Sequence, residues 1–133
     1  MRSVITYIIG VFLILGLFSC KSNKVALENL EGSWLLSKNR GEQELEYQRI
    51  EGEKDHFGSI LNIARDSTIC DSFVMKCING TGKTTLFSEG TWSIDEKTMI
   101  LTSTVPIDLS GTNFKIVQLD SKRFILAKVE MKK

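Results

Sequence analysis

Nine residues, Leu86-Phe87-Ser88-Glu89-Gly90-Thr91-Trp92-Ser93-Ile94, restrict the fold more than any other part of this chain. Leu86, Trp92 and Ile94 fall on one face of an extended segment, and Glu89, Thr91 and Ser93 on the other. A period of two marks a half-buried strand, because a helix would scatter these apolar residues around its axis. The same rhythm recurs in GSWLLSK (32–38), FGSILNIA (57–64), TICDSFVMKCI (68–78), TMILTSTV (98–105), NFKIVQLD (113–120) and RFILAKVEM (123–131). Turn-forming residues separate the runs: ARDS (64–67), Asp95-Glu96-Lys97, Pro106 with Asp108-Leu109-Ser110-Gly111, and Ser121-Lys122. Short strands joined by tight turns, at spacings of roughly 8–15 residues, predict an all-β domain. The expected form is a small up-and-down antiparallel β-barrel of about seven to eight strands, since closure leaves no exposed edge.

One segment resists this reading. GEQELEYQRIEGEKDH (41–56) is strongly charged, and Leu45, Tyr47 and Ile50 fit neither the strand nor the helix period. A short helix, an edge strand and a mobile loop all remain open, and its charges read as a solvated face.

The amino end has a different character. Arg2 precedes a nearly unbroken apolar run from Val4 to Phe18, shorter than the roughly 20 residues that span a bilayer as a helix. A positive start, a short apolar run and a small residue at the junction are the marks of a signal peptide. Leu17-Phe18-Ser19-Cys20 resembles the lipobox of bacterial lipoproteins, whose cysteine is lipidated and becomes the mature amino terminus. The expected organisation is a lipoprotein signal peptide over 1–19, a lipid-anchored tether over 20–27 and the barrel over 28–133. A plain membrane anchor is the alternative, and on either reading the folded part lies outside the cytoplasm. A tether this short reaches about 15 Å, so the barrel sits close to the membrane that holds Cys20. Lys21 is not the aspartate that retains such lipoproteins in the inner membrane, so the resemblance implies the outer membrane of a bacterial cell envelope.

Charge and chemistry narrow the function. Residues 1–19 hold one of the 17 basic residues and none of the 16 acidic ones, so the remainder is formally neutral. That balance argues against a nucleic-acid partner, which needs a basic face to displace counterions. CINGTGKTTL (77–86) looks like the end of a phosphate-binding loop, yet Cys77 stands where G-x-x-x-x-G-K-[ST] requires its first glycine. The residues after it form a strand pattern, whereas such a loop must open a helix whose amides hold the phosphates. Asn79-Gly80-Thr81-Gly82 reads instead as a hairpin turn, with Lys83 at the strand entrance, and no nucleotide is expected. The single histidine, His56, has acidic neighbours Glu51, Glu53 and Asp55 but no second histidine or cysteine pair at metal-ligand spacing. No catalytic motif appears, so no catalytic residue, metal or cofactor is expected. With Cys20 assigned to lipid, Cys70 and Cys77 remain. An oxidising compartment permits a disulfide, but one straight strand would set them about 23 Å apart. A bend at Asp71-Ser72 would allow the bond, and both the disulfide and two free thiols remain open.

Leu30-Glu31-Gly32-Ser33-Trp34 resembles the L-x-G-x-W opening of lipocalins and of the lipocalin-like domains of small bacterial lipoproteins. Gly90-Thr91-Trp92 repeats the G-x-W pattern, and Phe114-x-Ile116, Leu119 and Phe124-x-Leu126 are similar to the closing strands of that group. The resemblance implies that Trp34 packs across the closed end of a barrel, against an arginine of the last strand, for which Arg123 is the candidate. The glycine–tryptophan pairing also has a direct physical reason, since glycine lets a strand bend and the Trp two residues on fills the space.

The inward-facing candidates are Trp34, Leu36, Leu61, Ile63, Phe73, Met75, Leu86, Trp92, Ile94, Met99 and Leu101. All are large and apolar, so a pocket among them would take a small apolar or amphipathic ligand. Their crowding in a short chain favours the alternative of a filled barrel that docks an envelope protein or inhibits a secreted one.

Overall fold

The computed structural model describes residues 25–41, 43–51, 56–77 and 82–130. The leader, Cys20 and the Asn79-Gly80 dipeptide fall outside the described residues, as do Glu53 and Asp55 beside His56. No helix among the described residues is long and apolar enough to cross a membrane.

Eight strands form: β1 (Gly32–Arg40), β2 (Glu44–Arg49), β3 (Gly58–Ile63), β4 (Thr68–Lys76), β5 (Lys83–Asp95), β6 (Ile100–Ser103), β7 (Asn113–Leu119) and β8 (Arg123–Lys128). They close into an antiparallel barrel in the order β1-β2-β8-β7-β6-β5-β4-β3, with β3 returning to β1. The all-β barrel and its strand number are those the alternation predicts. From β3 to β8 the chain is a continuous meander. The β1–β2 hairpin is inserted between the two ends of that meander, so the link from β2 to β3 passes β1.

Acceptors placed two residues upstream set the turns. Asp66 Oδ1 accepts from the Thr68 amide, Asp95 Oδ1 from the Lys97 amide, and Asp120 Oδ1 from the amides of Lys122 and Arg123. Each aspartate mimics a backbone turn with its own side chain. The Thr68 hydroxyl, with the Thr68 amide, holds the Asp66 carboxyl below the usual range, and the Lys122 amide does the same for Asp120.

The ambiguous segment 41–56 contributes β2, and its apparent lack of period has a simple cause. Leu45 and Tyr47 alternate inward and are buried, while Ile50 lies past the strand, where its amide donates to the Ser33 carbonyl. Its charges are not all solvated. Glu46 is buried on the outer face, where Arg123 forks onto its Oε1 at 3.0 and 2.8 Å.

Arg123 therefore does not fill the role the resemblance gave it. In β8 the inward places go to Phe124 and Leu126, which turns Arg123 out towards Glu46. The cation over Trp34 is Arg49, the cross-strand partner of Trp34 at the end of β2, with its guanidinium carbon 4.3 Å from the ring centre. Arg49 also donates to the carbonyls of Ser121 (2.8 Å), Glu31 (2.9 Å) and Asn29. It thus ties the chain before β1 to the β7–β8 turn. Gly32 is required at this point: its φ is +139°, and a Cβ there would run into the Arg49 guanidinium. Around this closed end the core is packed from Leu30, Trp34, Ile63, Leu119 and Phe124. Val25 packs against it as well and bridges to Leu119, whose carbonyl accepts from the Ala26 amide, both from within the stretch expected to be tether.

Cys70 and Cys77 are free thiols. β4 pairs without a register break from Thr68 to Lys76, so the bend a disulfide needs is not there. Burial, then Glu89 and Asp71, push the Cys70 thiol up from its ordinary pKa.

Candidate functional site

The opposite end of the barrel carries the ends of β1 and β4, the starts of β2 and β5, and the long β6–β7 connection. β6 stops at Ser103, opposite Trp92, whereas β5 and β4 continue paired as far as Lys76 and Lys83. A two-stranded ribbon therefore rises past the rim. The connection after Ser103 folds back over the opening, and its Ile107 is fully buried in the core. Its amide donates to the Gly111 carbonyl at 2.8 Å, which closes the loop on itself.

The next residue, Asp108, is the hub of the mouth. Its amide donates to Asp71 Oδ2 on β4 at 3.0 Å. Its carboxylate accepts from Ser59 Oγ on β3 at 2.7 Å and from Asn39 Nδ2 on β1 at 3.3 Å. Asn39 reaches it because β1 slips register between Leu36 and Lys38. The extra residue flips the alternation, so Asn39 takes the side shared by its partner Leu45. Asp108 and Leu109 both have left-handed backbones, φ 48° and 57°. Aspartate tolerates that region; leucine does so at a cost of order 1 kcal/mol. The Leu109 side chain stands in the open, 95% exposed.

Asp71 faces inward with its partners Leu61 and Ser88. Burial, opposed by the Asp108 amide and reinforced by the Asp108 charge, pushes its carboxyl up from the ordinary 3.8 to about 6. Tyr47 is an inward core residue of β2. It is fully buried, and its phenol is pushed up first by burial and then by the charges of Asp71 and Asp108. Among the described residues, neither the Tyr47 hydroxyl nor Asp71 Oδ1 has a hydrogen-bond partner, though both atoms are buried. Glu46 Oε2 and His56 Nε2 are buried without hydrogen-bond partners as well, but of the four atoms only Asp71 Oδ1 belongs to an inward carboxylate.

Above the carboxylates the ribbon and the loop enclose a hollow of about 410 Å³. Its floor is Ser59, Asp71, Ser88 and Asp108, and its walls are Phe73, Leu86, Phe87 and Leu109. Leu86 and Phe87 are 61% and 68% exposed, an unusual load of apolar surface for so small a region. Two other concavities are larger, about 990 Å³ beside the β1–β2 turn and about 560 Å³ beside Arg49. They are lined mainly by charged and polar side chains. Of these three, the mouth hollow alone joins apolar walls to a buried unpaired acceptor, Asp71 Oδ1. Among the described residues no three His, Cys, Asp or Glu side chains gather as a metal site would require.

The inward candidates divide into two groups. Trp34, Leu61, Ile63 and Leu101 are buried core, and Leu36, Trp92 and Ile94 pack against it. Phe73, Met75 and Leu86 take the same inward parity but stand on the rising ribbon, exposed, with Phe73 and Leu86 opposite each other. Met99 is in the β5–β6 turn, with a φ of 57°. The polar members of the mouth, Asn39, Tyr47, Ser59, Asp71 and Asp108, carry no sequence motif. An acidic residue at an inward strand position, such as Asp71 between Ile69 and Phe73, was the one available signal.

Asp71 binds its proton more tightly folded than unfolded, so its contribution is intact below about pH 4 and is lost as pH rises through about 6. The full displacement corresponds to about 3 kcal/mol, and partial solvation reduces the expected effect to about 1–2 kcal/mol. Asp71→Asn should therefore raise the urea midpoint at pH 7.5, with the gain fading towards pH 4. An equal shift at both pH values would refute this account of the carboxyl.

Comparison of the chain with protein-family models, with curated proteins and with solved structures finds no match in any of the three.

Proposed function

We propose that this chain is a lipid-anchored, non-catalytic lipocalin-like protein of the bacterial envelope whose mouth holds a small amphipathic ligand. The observation that carries this reading is the mouth hollow, apolar in its walls and polar in its floor. Ligand sites commonly combine a mostly apolar lining with a few convergent polar groups. The interior below Tyr47 and Ile107 is packed with side chains, so the ligand sits above the core rather than through it. The Leu17-Phe18-Ser19-Cys20 stretch supports the anchor, and the outer membrane is the side its sequence favours.

The test has two arms. Native mass spectrometry of protein taken from envelope membranes should show one small molecule per chain, lost in Leu86→Asn, a neutral polar change at an exposed site. A bare barrel would defeat the ligand reading. Cys20→Ser should release the protein from membranes, and retention would defeat the lipid anchor.

A second reading rests on the ribbon. Among the described residues, β4 is the only strand beside 84–90 of β5, which leaves an edge where a partner could add a strand. In that case the apolar residues of the ribbon would serve a protein contact, and an envelope partner would be recovered in place of the small molecule.

A further inference from the structure

We infer that the mouth hollow selects a ligand bearing a protonated amine, held by Asp71 and Asp108 while its apolar body lies against Phe73 and Leu86. This rests on the reading above that the hollow binds a ligand, and adds the chemistry of its head group.

The charge of the floor favours a cation. Two carboxyl groups, tied together by the Asp108 amide at 3.0 Å, form the base of a partly enclosed hollow. The polar groups bound to Asp108 are neutral, namely Ser59 and Asn39. Among the described residues no basic side chain sets the state of Asp71, whose environment consists of burial, the Asp108 amide and the Asp108 charge. An acid pair without a cation is costly in a low-dielectric setting, and a cationic guest relieves that cost. An anionic head would increase it.

The hydrogen-bond pattern of the floor points the same way. Asp71 lines the hollow, and its Oδ1 is a buried acceptor without a donor among the described residues. An ammonium has three donors and no acceptor, so one proton can serve Asp71 Oδ1 and a second the Asp108 carboxylate.

The walls narrow the kind of cation. Phe73, Leu86, Phe87 and Leu109 would have no use for a bare metal ion, which seeks a full shell of oxygen ligands. They suit an organic cation: aromatic faces attract an ammonium, and the aliphatic groups cover a short hydrocarbon chain. A head-selecting acid pair beneath a permissive apolar wall describes a class, primary amines with an apolar body, rather than a single compound.

The experiment compares three probes of equal tail, hexan-1-amine, hexan-1-ol and hexanoate. Binding to the protein in lipid nanodiscs is measured by calorimetry with empty discs subtracted. The expected order is amine over alcohol by tenfold or more, with hexanoate weakest. Asp71→Asn, which preserves shape and the bond from the Asp108 amide, should bring the amine down to the level of the alcohol. Its near-ultraviolet circular dichroism should match the parent, which separates loss of charge from loss of fold. If alcohol and amine bind equally, or hexanoate binds best, the amine inference falls while ligand binding at the mouth survives. If none of the three binds, both readings fall together.

Discussion

Trp34→Ala is expected to lower stability by about 3–5 kcal/mol, the range for deleting a large buried aromatic side chain. The ring is 0% exposed, and its loss would remove more than volume. It stands 5.2 Å from Phe124 at a 51° tilt, and its Nε1–H donates to the Leu30 carbonyl at 3.0 Å. The Arg49 guanidinium lies on its face. Alanine therefore leaves a cavity, an unpaired carbonyl and an arginine without its support. Trp34→Phe separates these terms, since it fills most of the space but donates no hydrogen bond, and about 1–2 kcal/mol is expected. Urea denaturation followed by circular dichroism gives both values. A loss below about 1 kcal/mol for Trp34→Ala would mean that the closed end is not the anchor of the core.

The second large effect belongs to Arg49. Its side chain satisfies three carbonyls from two separate stretches of chain and stacks on Trp34. Arg49→Ala should cost about 2–3 kcal/mol, from unpaired carbonyls and a lost cation–π contact. Arg49→Lys should recover less than half of that, because a point-like ammonium cannot fork to several acceptors at once. Gly32 gives an internal check. Gly32→Ala is strained both by its φ and by the clash with Arg49, and only the second disappears once Arg49 is alanine. The double variant should thus be less destabilised than the sum of the singles. Strict additivity would place Arg49 elsewhere in solution.

These two residues also show what the sequence did and did not reveal. Trp34 was legible, because a glycine two residues ahead of a tryptophan on the same strand face has a direct geometric meaning. Arg49 was not, since it sits in the one segment whose period was hidden. Leu45 and Tyr47 alternate cleanly, but Ile50 lies beyond the strand and blurs the pattern when all three are read together. The strands from Gly58 to Lys128 were legible because hairpins are local and each turn carries its own aspartate or glycine. The insertion of the β1–β2 hairpin between β3 and β8 was not, because pairing partners distant along the chain leave no local mark. The mouth escaped for a related reason: Asn39 arrives by a bulge at Ser37, and Asp108 by a connection whose apolar anchor, Ile107, looked like loop. Parity alone placed Phe73 and Leu86 inward but gave no information on where β6 would end and leave them uncovered.

Strands β3 to β8 join neighbour to neighbour, so each of their pairings closes only a short loop of chain. The two remaining seams, β1 with β3 and β2 with β8, are made by a single hairpin, and the second brings together residues 77 apart, as in Glu46 with Arg123. Pairings that close long loops carry a high entropic cost and form late. The first two strands of the chain are thus its keystone: six staves stand in order, and the barrel locks when the hairpin bearing Trp34, Tyr47 and Arg49 drops into the gap.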